Sequence, residues 1–533
     1  MNYKQVVLLV LDGFGVASPS EGNPVVAANP RNINYLVNNF PATTLQASGP
    51  SVGLPWGELG NSEVGHLNLG AGRIVSQDLP RIGRAITSGD FFKNPAFLGA
   101  IDHVRKHNSK IHLLGLVSEG GVHSSQEHLD SLLQLIAREK LTQVFVHMFT
   151  DGRDTLPRAA LDALDRLSRK FLEFGVGKIA TITGRFYAMD RGEHWEVTEK
   201  TYRALVMGDA PAVASAREGI QGYYDQQIYD ETIPPTVIKS GDQAVARIEP
   251  GDALIFFNFR HDRQVQLALA FVDPTFGKFS QNYGRIPDLY VATMTEYKKD
   301  LPAAVAFPSI VLKNGLGEVL SAARLTQFHT AESEKYAHVT SFFNGGQEAA
   351  WPGEQREIVT SPVSYEKRYQ DVPEMSVGKI AELVVRELDR GTGFILGNIA
   401  NTDMVGHTGN MNACIRAVQA VDNAIGAIFA ASVRAGAALI ITADHGNIEQ
   451  TLDPRTGMVD TEHTLNPVPF IVAAPGMGRK TPLLKGYLEL PAIVPEGVLS
   501  DVSPTVLELL GVPQPPEMTA VSLLPILQKQ IGG

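Results

Sequence analysis

Apolar and polar positions along this chain predict a repeating strand–helix order. Near-continuous apolar runs, the mark of strands buried on both faces, fall at 6–11, 111–117, 144–149, 178–183, 253–257, 288–293, 393–399 and 437–442. Between them, apolar residues recur every three or four positions over 124–140, 158–174, 194–207, 375–390 and 410–434, which predicts amphipathic helices. The alternation is that of an α/β fold with two domains and largely parallel sheets. Ligands of open α/β sheets bind beyond the carboxyl ends of the strands. The polar residues that follow the runs are therefore the first candidates for chemistry. They are Asp12, the tetrapeptide Asp151-Gly152-Arg153-Asp154, the stretch 398–407 and the pair Asp444-His445.

Composition narrows the picture. The 533 residues exceed one ordinary domain, and 44 % hydrophobic with 19 % charged residues exclude wholesale disorder. The net charge of −11 argues against nucleic acid and anionic membrane as partners, but is silent on a small anionic substrate, which feels only local charge. The one cysteine, Cys414, lies on a predicted helix and reads as a buried core thiol. It excludes a disulfide framework and thiolate metal sites. The apolar stretch before Asp12 is too short for a signal core, and no run reaches the roughly 18 apolar residues of a spanning helix. A soluble cytoplasmic protein with no membrane partner is the expectation.

Any metal must therefore rest on Asp, Glu and His, and these cluster late in the chain. Asp403 and His407 are four apart, Asp444 and His445 follow an apolar run, and His463 comes soon after. With Asp12 they make three carboxylates and three imidazoles, too many for one four-coordinate ion and suited to two. Taken singly, Asp12-Gly13 is a turn, Asp444 a cap and Asp403/His407 a surface pair. Together, at the ends of buried strands, they read as metal ligands. The segment Gly57–His66 is glycine-rich and centres on Ser62. Ser62 is either a helix cap or a nucleophile, because a helix N-terminus favours both. A second, basic group comprises His123, Arg153, Arg185, Arg191, Arg260, Arg263 and Lys335. Guanidinium forks grip carboxylate and phosphate in pairs, so the group fits a ligand carrying both. A lone arginine is more often a surface ion pair, Arg153 between two aspartates above all, and His123 is equally placed to cap the next helix.

Longer motifs resemble a known family. VLLVLDGFG, GNSEVGHLNLGAGR, NTDMVGHTG, TADHGN and TEHT are similar to the alkaline phosphatase superfamily. SEGGVHS, DGRD, GRFYAMDR, FNFRHDR and AESEKYAHVT resemble the cofactor-independent phosphoglycerate mutases, over about residues 5–523. That resemblance implies a phosphatase-like domain with an inserted transferase-like domain, and two divalent cations, Mn²⁺ foremost. Asp403, His407 and His463 would hold one; Asp12, Asp444 and His445, with Ser62, the other. It further implies that Ser62 carries the phosphoryl group and that the basic residues with Asp154 bind phosphoglycerate. Asp154 would be the acid/base for the glycerate hydroxyls. Lys335 joins Ser62 and Asp154 as catalytic. The implied activity is interconversion of 3- and 2-phosphoglycerate without bisphosphoglycerate, by a monomer. A metal-dependent phosphomonoesterase or a phosphopentomutase is the alternative, but a pentose phosphate has no carboxylate to employ so many arginines.

The metal and serine motifs occupy both ends of the chain, and most substrate motifs the middle. This predicts a discontinuous domain of residues 1–76 and 313–533, interrupted by 77–312, with linkers within 76–80 and 302–313 and closure around substrate. Residues 77–310 hold 27 lysines and arginines against 29 acids, net −2, and the rest 19 against 28, net −9. The acidity thus sits with the expected cation ligands. The stretch 474–495 is longer than the resemblance leads one to expect and reads as a surface insertion.

Overall fold

The computed structural model describes residues 2–532, except 281, 282, 284 and 285. They form two compact units, 1–77 with 311–533, and 78–310. Each is built on its own sheet, with helices supplying the apolar cover.

In the first unit, Val6–Leu11 is a run of β-branched and leucine side chains, every one buried. Such a strand needs cover on both faces, and it lies near the centre of an eight-stranded sheet. Its parallel neighbours are Phe394–Ile399 and Ala438–Thr442, and Gln327–Glu332 pairs in parallel with Phe394–Ile399. Four adjacent strands therefore end on one side, followed by Lys335, Asp403, Asp12 and Asp444. Val468–Ala473 and Ala42–Gln46 continue the sheet in antiparallel fashion.

In the second unit, Ala253–Phe256, Ile111–Leu116, Val144–Thr150 and Lys178–Gly184 are adjacent and parallel. Tyr290–Thr295 and Ala304–Phe307 extend the sheet on one side. Thr236–Ser240 continues the other side antiparallel, and the short strand Ala212–Val213 lies beyond it in parallel. The strand ends are followed by Arg260, His123, Asp151 and Arg185. Two polar interruptions of the apolar runs satisfy one another inside this sheet. His112 bonds Asp252 (3.1 Å) and His147 (2.9 Å), and His147 bonds Thr181 (3.0 Å).

The strand expected at 288–293 begins at Tyr290, because Asp288 is in the left-handed conformation. The expected linkers are narrower than drawn. Ala304–Phe307 is a strand of the second sheet, and a helix already starts at Asp78. The stretch 474–495 is only partly superficial. Tyr487 and Leu490 are buried, and Tyr487 packs edge-on against Phe14. Cys414 is buried, as read. Its helix, Met411–Ala435, is long and apolar enough to cross a membrane by composition alone, but half of the relevant window is buried inside the protein.

His128 is fully buried against Phe259, and neither ring nitrogen has a hydrogen-bond partner among the described residues. Burial pushes its pKa down to about 3. The folded state thus keeps this imidazole neutral where the unfolded chain, near 6.5, takes up a proton. Stability from this group is complete above pH 6.5 and falls as pH drops toward 3, at up to about 1.4 kcal/mol per pH unit. Urea unfolding followed at pH 7 and pH 5 should show roughly 2 kcal/mol more acid loss in the unmodified protein than in His128→Leu. Equal losses would contradict this.

Candidate active site

The catalytic candidates of the first unit meet at the strand ends. Ser62 opens the helix Ser62–Ala71, but it is not the cap. The Asn61 side chain accepts from Val64 N at 3.0 Å, so the Ser62 hydroxyl is not used as a cap. Ser62 Oγ lies 3.0 Å from Asp12 Oδ1, 3.0 Å from His445 Nε2 and 2.8 Å from Lys335 Nζ. Lys335 also donates to Asp12 (2.6 Å) and Asp403 (2.7 Å). Burial disfavours its charge, but Asp12, Asp403 and Asp444 outweigh burial and raise its pKa. Burial likewise opposes the Asp403 charge, and Lys335, His407 and His463 overcome it and hold the carboxylate ionised. Gly65 lets the helix close in, since a Cβ there would sit 2.6 Å from Asp444.

The histidines are set to offer lone pairs. His407 and His463 each donate from Nδ1 to a carbonyl, Thr461 O and Gly60 O, both at 2.7 Å. When neutral, each ring in that tautomer presents a bare Nε2. Both Nε2 atoms lie 3.2 Å from Asp403 Oδ1 and 3.2 Å from each other. Asp403 raises the pKa of His407, and against burial that of His463. A proton or a divalent cation therefore fits the point where the three groups converge. Asp444 Oδ2 is buried without a hydrogen bond among the described residues, a second acceptor lacking a donor. Ligand atoms converge in two groups, Asp403 with His445 and His463, and Asp12 with His66 and Asp444. The donor set, carboxylates and imidazoles without thiolate, fits divalent cations.

Two members of this cluster lie within the candidate stretches Gly57–His66 and 398–407 but were not singled out there as site residues. His66 donates from Nδ1 to Ser62 O (2.8 Å) and lies 3.1 Å from Asp444 Oδ2. Asn398 donates to Asp12 (2.7 Å) and to His66 Nε2 (3.0 Å). His66 stands four residues after Ser62, one turn along the same helix face, and that spacing was the available signal.

The second unit gathers the basic group. Arg185, 3 % exposed, donates to Asp151 (2.6 Å) and Asp154 (2.5 Å). Burial works against the Asp151 carboxylate, but bonds from Ser118, Asp154 N and Arg185 keep its pKa below the usual range. His123 does not cap the next helix. Its carbonyl accepts from Phe259 N and Arg260 N, and its ring lies 3.8 Å from Asp154 and 3.7 Å from Asp262. Burial and the Arg185 charge push its pKa down to about 4. Asp262, also missed, lies 2.7 Å from Arg191 and 3.2 Å from Arg260. Arg263 feels Arg191, Arg185 and Arg153 and donates to Met189 O at 3.4 Å. Arg153 is exposed, 3.5 Å from Glu231, as a surface arginine would be. Lys335 belongs to the first unit, in the acidic cluster described above. Arg185→Ala leaves two carboxylates without their partner, one of them buried, and should cost roughly 3 kcal/mol in denaturant unfolding. A loss below about 1 kcal/mol would show the pair to be solvent-screened.

Fold and site together define an α/β enzyme of the alkaline-phosphatase type that works with divalent cations. Comparison with known proteins agrees. Residues 82–299 match the family described as BPG-independent PGAM N-terminus, and residues 313–466 match Type I phosphodiesterase / nucleotide pyrophosphatase. The chain is 45 % identical to the 2,3-bisphosphoglycerate-independent phosphoglycerate mutase of Chloroflexus aggregans, covering 98 % of each. It is 46 % identical to that of Moorella thermoacetica, again over 98 % of each. A solved structure of Leishmania mexicana phosphoglycerate mutase at low cobalt concentration aligns with a TM-score of 0.63 and 31 % identity, covering 97 % of each chain. The chain belongs to the family of 2,3-bisphosphoglycerate-independent phosphoglycerate mutases. It is an isomerase acting on a small molecule.

Proposed function

We propose that the chain interconverts 3-phosphoglycerate and 2-phosphoglycerate by passing the phosphoryl group through Ser62. One observation carries the reading. The Ser62 hydroxyl opens a helix within 3.0 Å of a lysine ammonium, a carboxylate and an imidazole, beside a cluster of carboxylates and imidazoles. Asp403, His407 and His463 would hold one cation, and Asp12, Asp444, His445 and Ser62 the other, with Mn²⁺ suited to these donors. Bound cations would offset phosphoryl charge and favour the serine alkoxide, the hydroxyl proton being released to solvent as they bind.

Ser62 Oγ bonds to phosphorus as the bond from phosphorus to the glycerate oxygen breaks, with the electron pair leaving on that oxygen. The Lys335 ammonium, already protonated, faces the Ser62 oxygen and stabilises its negative charge. Arg185, Arg191, Arg260 and Arg263, with His123 and Arg153, hold the glycerate carboxylate and hydroxyls. Asp154 gives a proton to the freed hydroxyl and takes one from the other, which then recovers the phosphoryl group from Ser62. Retention of glycerate by the arginines separates a mutase from a phosphatase.

The test is a product assay by phosphorus NMR. With 3-phosphoglycerate, Mn²⁺ and no bisphosphoglycerate, 2-phosphoglycerate should accumulate to equilibrium. Inorganic phosphate as the main product, or faster turnover of a pentose phosphate, would overturn the reading.

A further inference from the structure

One buried carboxylate near the cluster takes no part in the chemistry above. Glu449 is 1 % exposed, and four neutral donors hold it. Its Oε2 accepts from Gly15 N (2.9 Å) and Asn447 N (2.8 Å). Its Oε1 accepts from Thr464 Oγ1 and from Asn466 Nδ2 (2.9 Å). These donors belong to three separate segments. Gly15 follows Asp12, Asn447 follows Asp444 and His445, and Thr464 follows His463. The packing is built around the carboxylate, since a Cβ on Gly15 would sit 2.2 Å from its carbon and one on Gly446 2.6 Å from Oε1.

We propose that Glu449 is a positioning residue for the cation held by Asp403, His407 and His463. The inference rests on the cation grouping proposed above. Glu449 reaches that group by two routes. Through Thr464 it fixes the residue adjoining His463, whose chain is tied again where Thr464 N donates to Gly446 O at 3.0 Å. Through the Asn447 backbone it fixes a side chain whose Nδ2 donates to Asp403 Oδ1 at 3.0 Å. Both routes converge on Asp403 and His463, the two residues whose ligand atoms lie 3.2 Å apart. Burying an ionised carboxylate is costly unless its hydrogen bonds are complete. A fully bonded one is correspondingly rigid and holds its donors in place.

The second cation group depends on Glu449 less directly. Asp444 has bonds that do not involve Glu449, its Oδ1 accepting from Gly13 N and His445 N, both at 3.1 Å. Loss of the clamp should therefore weaken one cation selectively. That selectivity separates positioning from general support of the fold.

The test is calorimetric titration of metal-free protein with Mn²⁺, using Glu449→Gln and Thr464→Val. Gln presents an NH₂ where acceptors are needed, and Val removes a single donor with little change in shape. His463→Ala identifies the binding step that belongs to the first group. In both test variants that step should weaken about ten- to a hundredfold, as removal of a ligand's supporting partner does. The other step should stay within about threefold, and excess Mn²⁺ should restore turnover. Unchanged affinity at the His463 step, or equal weakening of both steps, would overturn the proposal. If Glu449→Gln does not fold, Thr464→Val decides by the same criteria. Because the titration does not read turnover, its outcome stands apart from that of the mutase assay.

Discussion

Ser62→Ala should lower mutase turnover by about four or more orders of magnitude while leaving the fold intact. The loss is large because the neighbours of Ser62 cannot replace it. Lys335 is held as an ammonium by Asp12 and Asp403 at 2.6 and 2.7 Å, and so has no free electron pair. His445 faces the hydroxyl at 3.0 Å as a hydrogen-bond partner and proposed cation ligand. Asp12 is buried and committed to Lys335 and Asn398. The fold should survive because Asn61, not Ser62, satisfies the helix end. Circular dichroism and the melting temperature check the fold, and steady-state assay checks turnover. Residual activity within tenfold of the unmodified enzyme would show that the phosphoryl group travels by another route.

Chelation should abolish turnover, and Mn²⁺ should restore it. The Nε2 atoms of His407 and His463 lie 3.2 Å apart and each 3.2 Å from Asp403 Oδ1, converging where a cation would sit. Filling such sites also stabilises the folded state, by about 2.7 kcal/mol for each site at a free concentration one hundred times its dissociation constant. The melting temperature should therefore rise with Mn²⁺ and fall with chelator. Imidazoles bind cations only when neutral, so protons compete with metal and the apparent affinity falls on acidification. At sub-saturating Mn²⁺, turnover should drop between pH 8 and pH 6, and added Mn²⁺ should offset the drop. A chelated enzyme with full turnover would remove the cations from the account.

The architecture was legible wherever apolar residues ran unbroken. Val6–Leu11, Ala253–Phe256 and Ala438–Thr442 are strands buried throughout, and continuous hydrophobicity marks such strands. The strands Gln327–Glu332 and Ala42–Gln46 were not, because their polar residues, such as His329 and Thr43, are buried by partners remote in sequence. The helix over 375–390 starts two residues late, at Val377, because Met375 adopts a positive φ that no periodicity reveals.

The candidate site shows the same division. Residues that end apolar runs, such as Asp12 and Asp444, announced themselves by position. His66, Asn398, Asp262 and Glu449 did not, because their roles consist of hydrogen bonds across the fold. Asn398 lies inside a predicted strand, and its amide reads as an interruption until Asp12 and His66 are seen beside it. Asp262 sits in a run of basic residues, and only geometry shows that it orients Arg191 and Arg260.

In the proposed mechanism the phosphoryl group rests on Ser62 during its passage between two hydroxyls of one retained glycerate. The decisive experiment uses 3-phosphoglycerate labelled at phosphorus, incubated with the enzyme and Mn²⁺ in the absence of bisphosphoglycerate, then quenched and mapped by peptide. Label should appear on the peptide carrying Ser62 and in 2-phosphoglycerate, with little in inorganic phosphate. Label passing into 2-phosphoglycerate with none on Ser62, or released chiefly as phosphate, would contradict it.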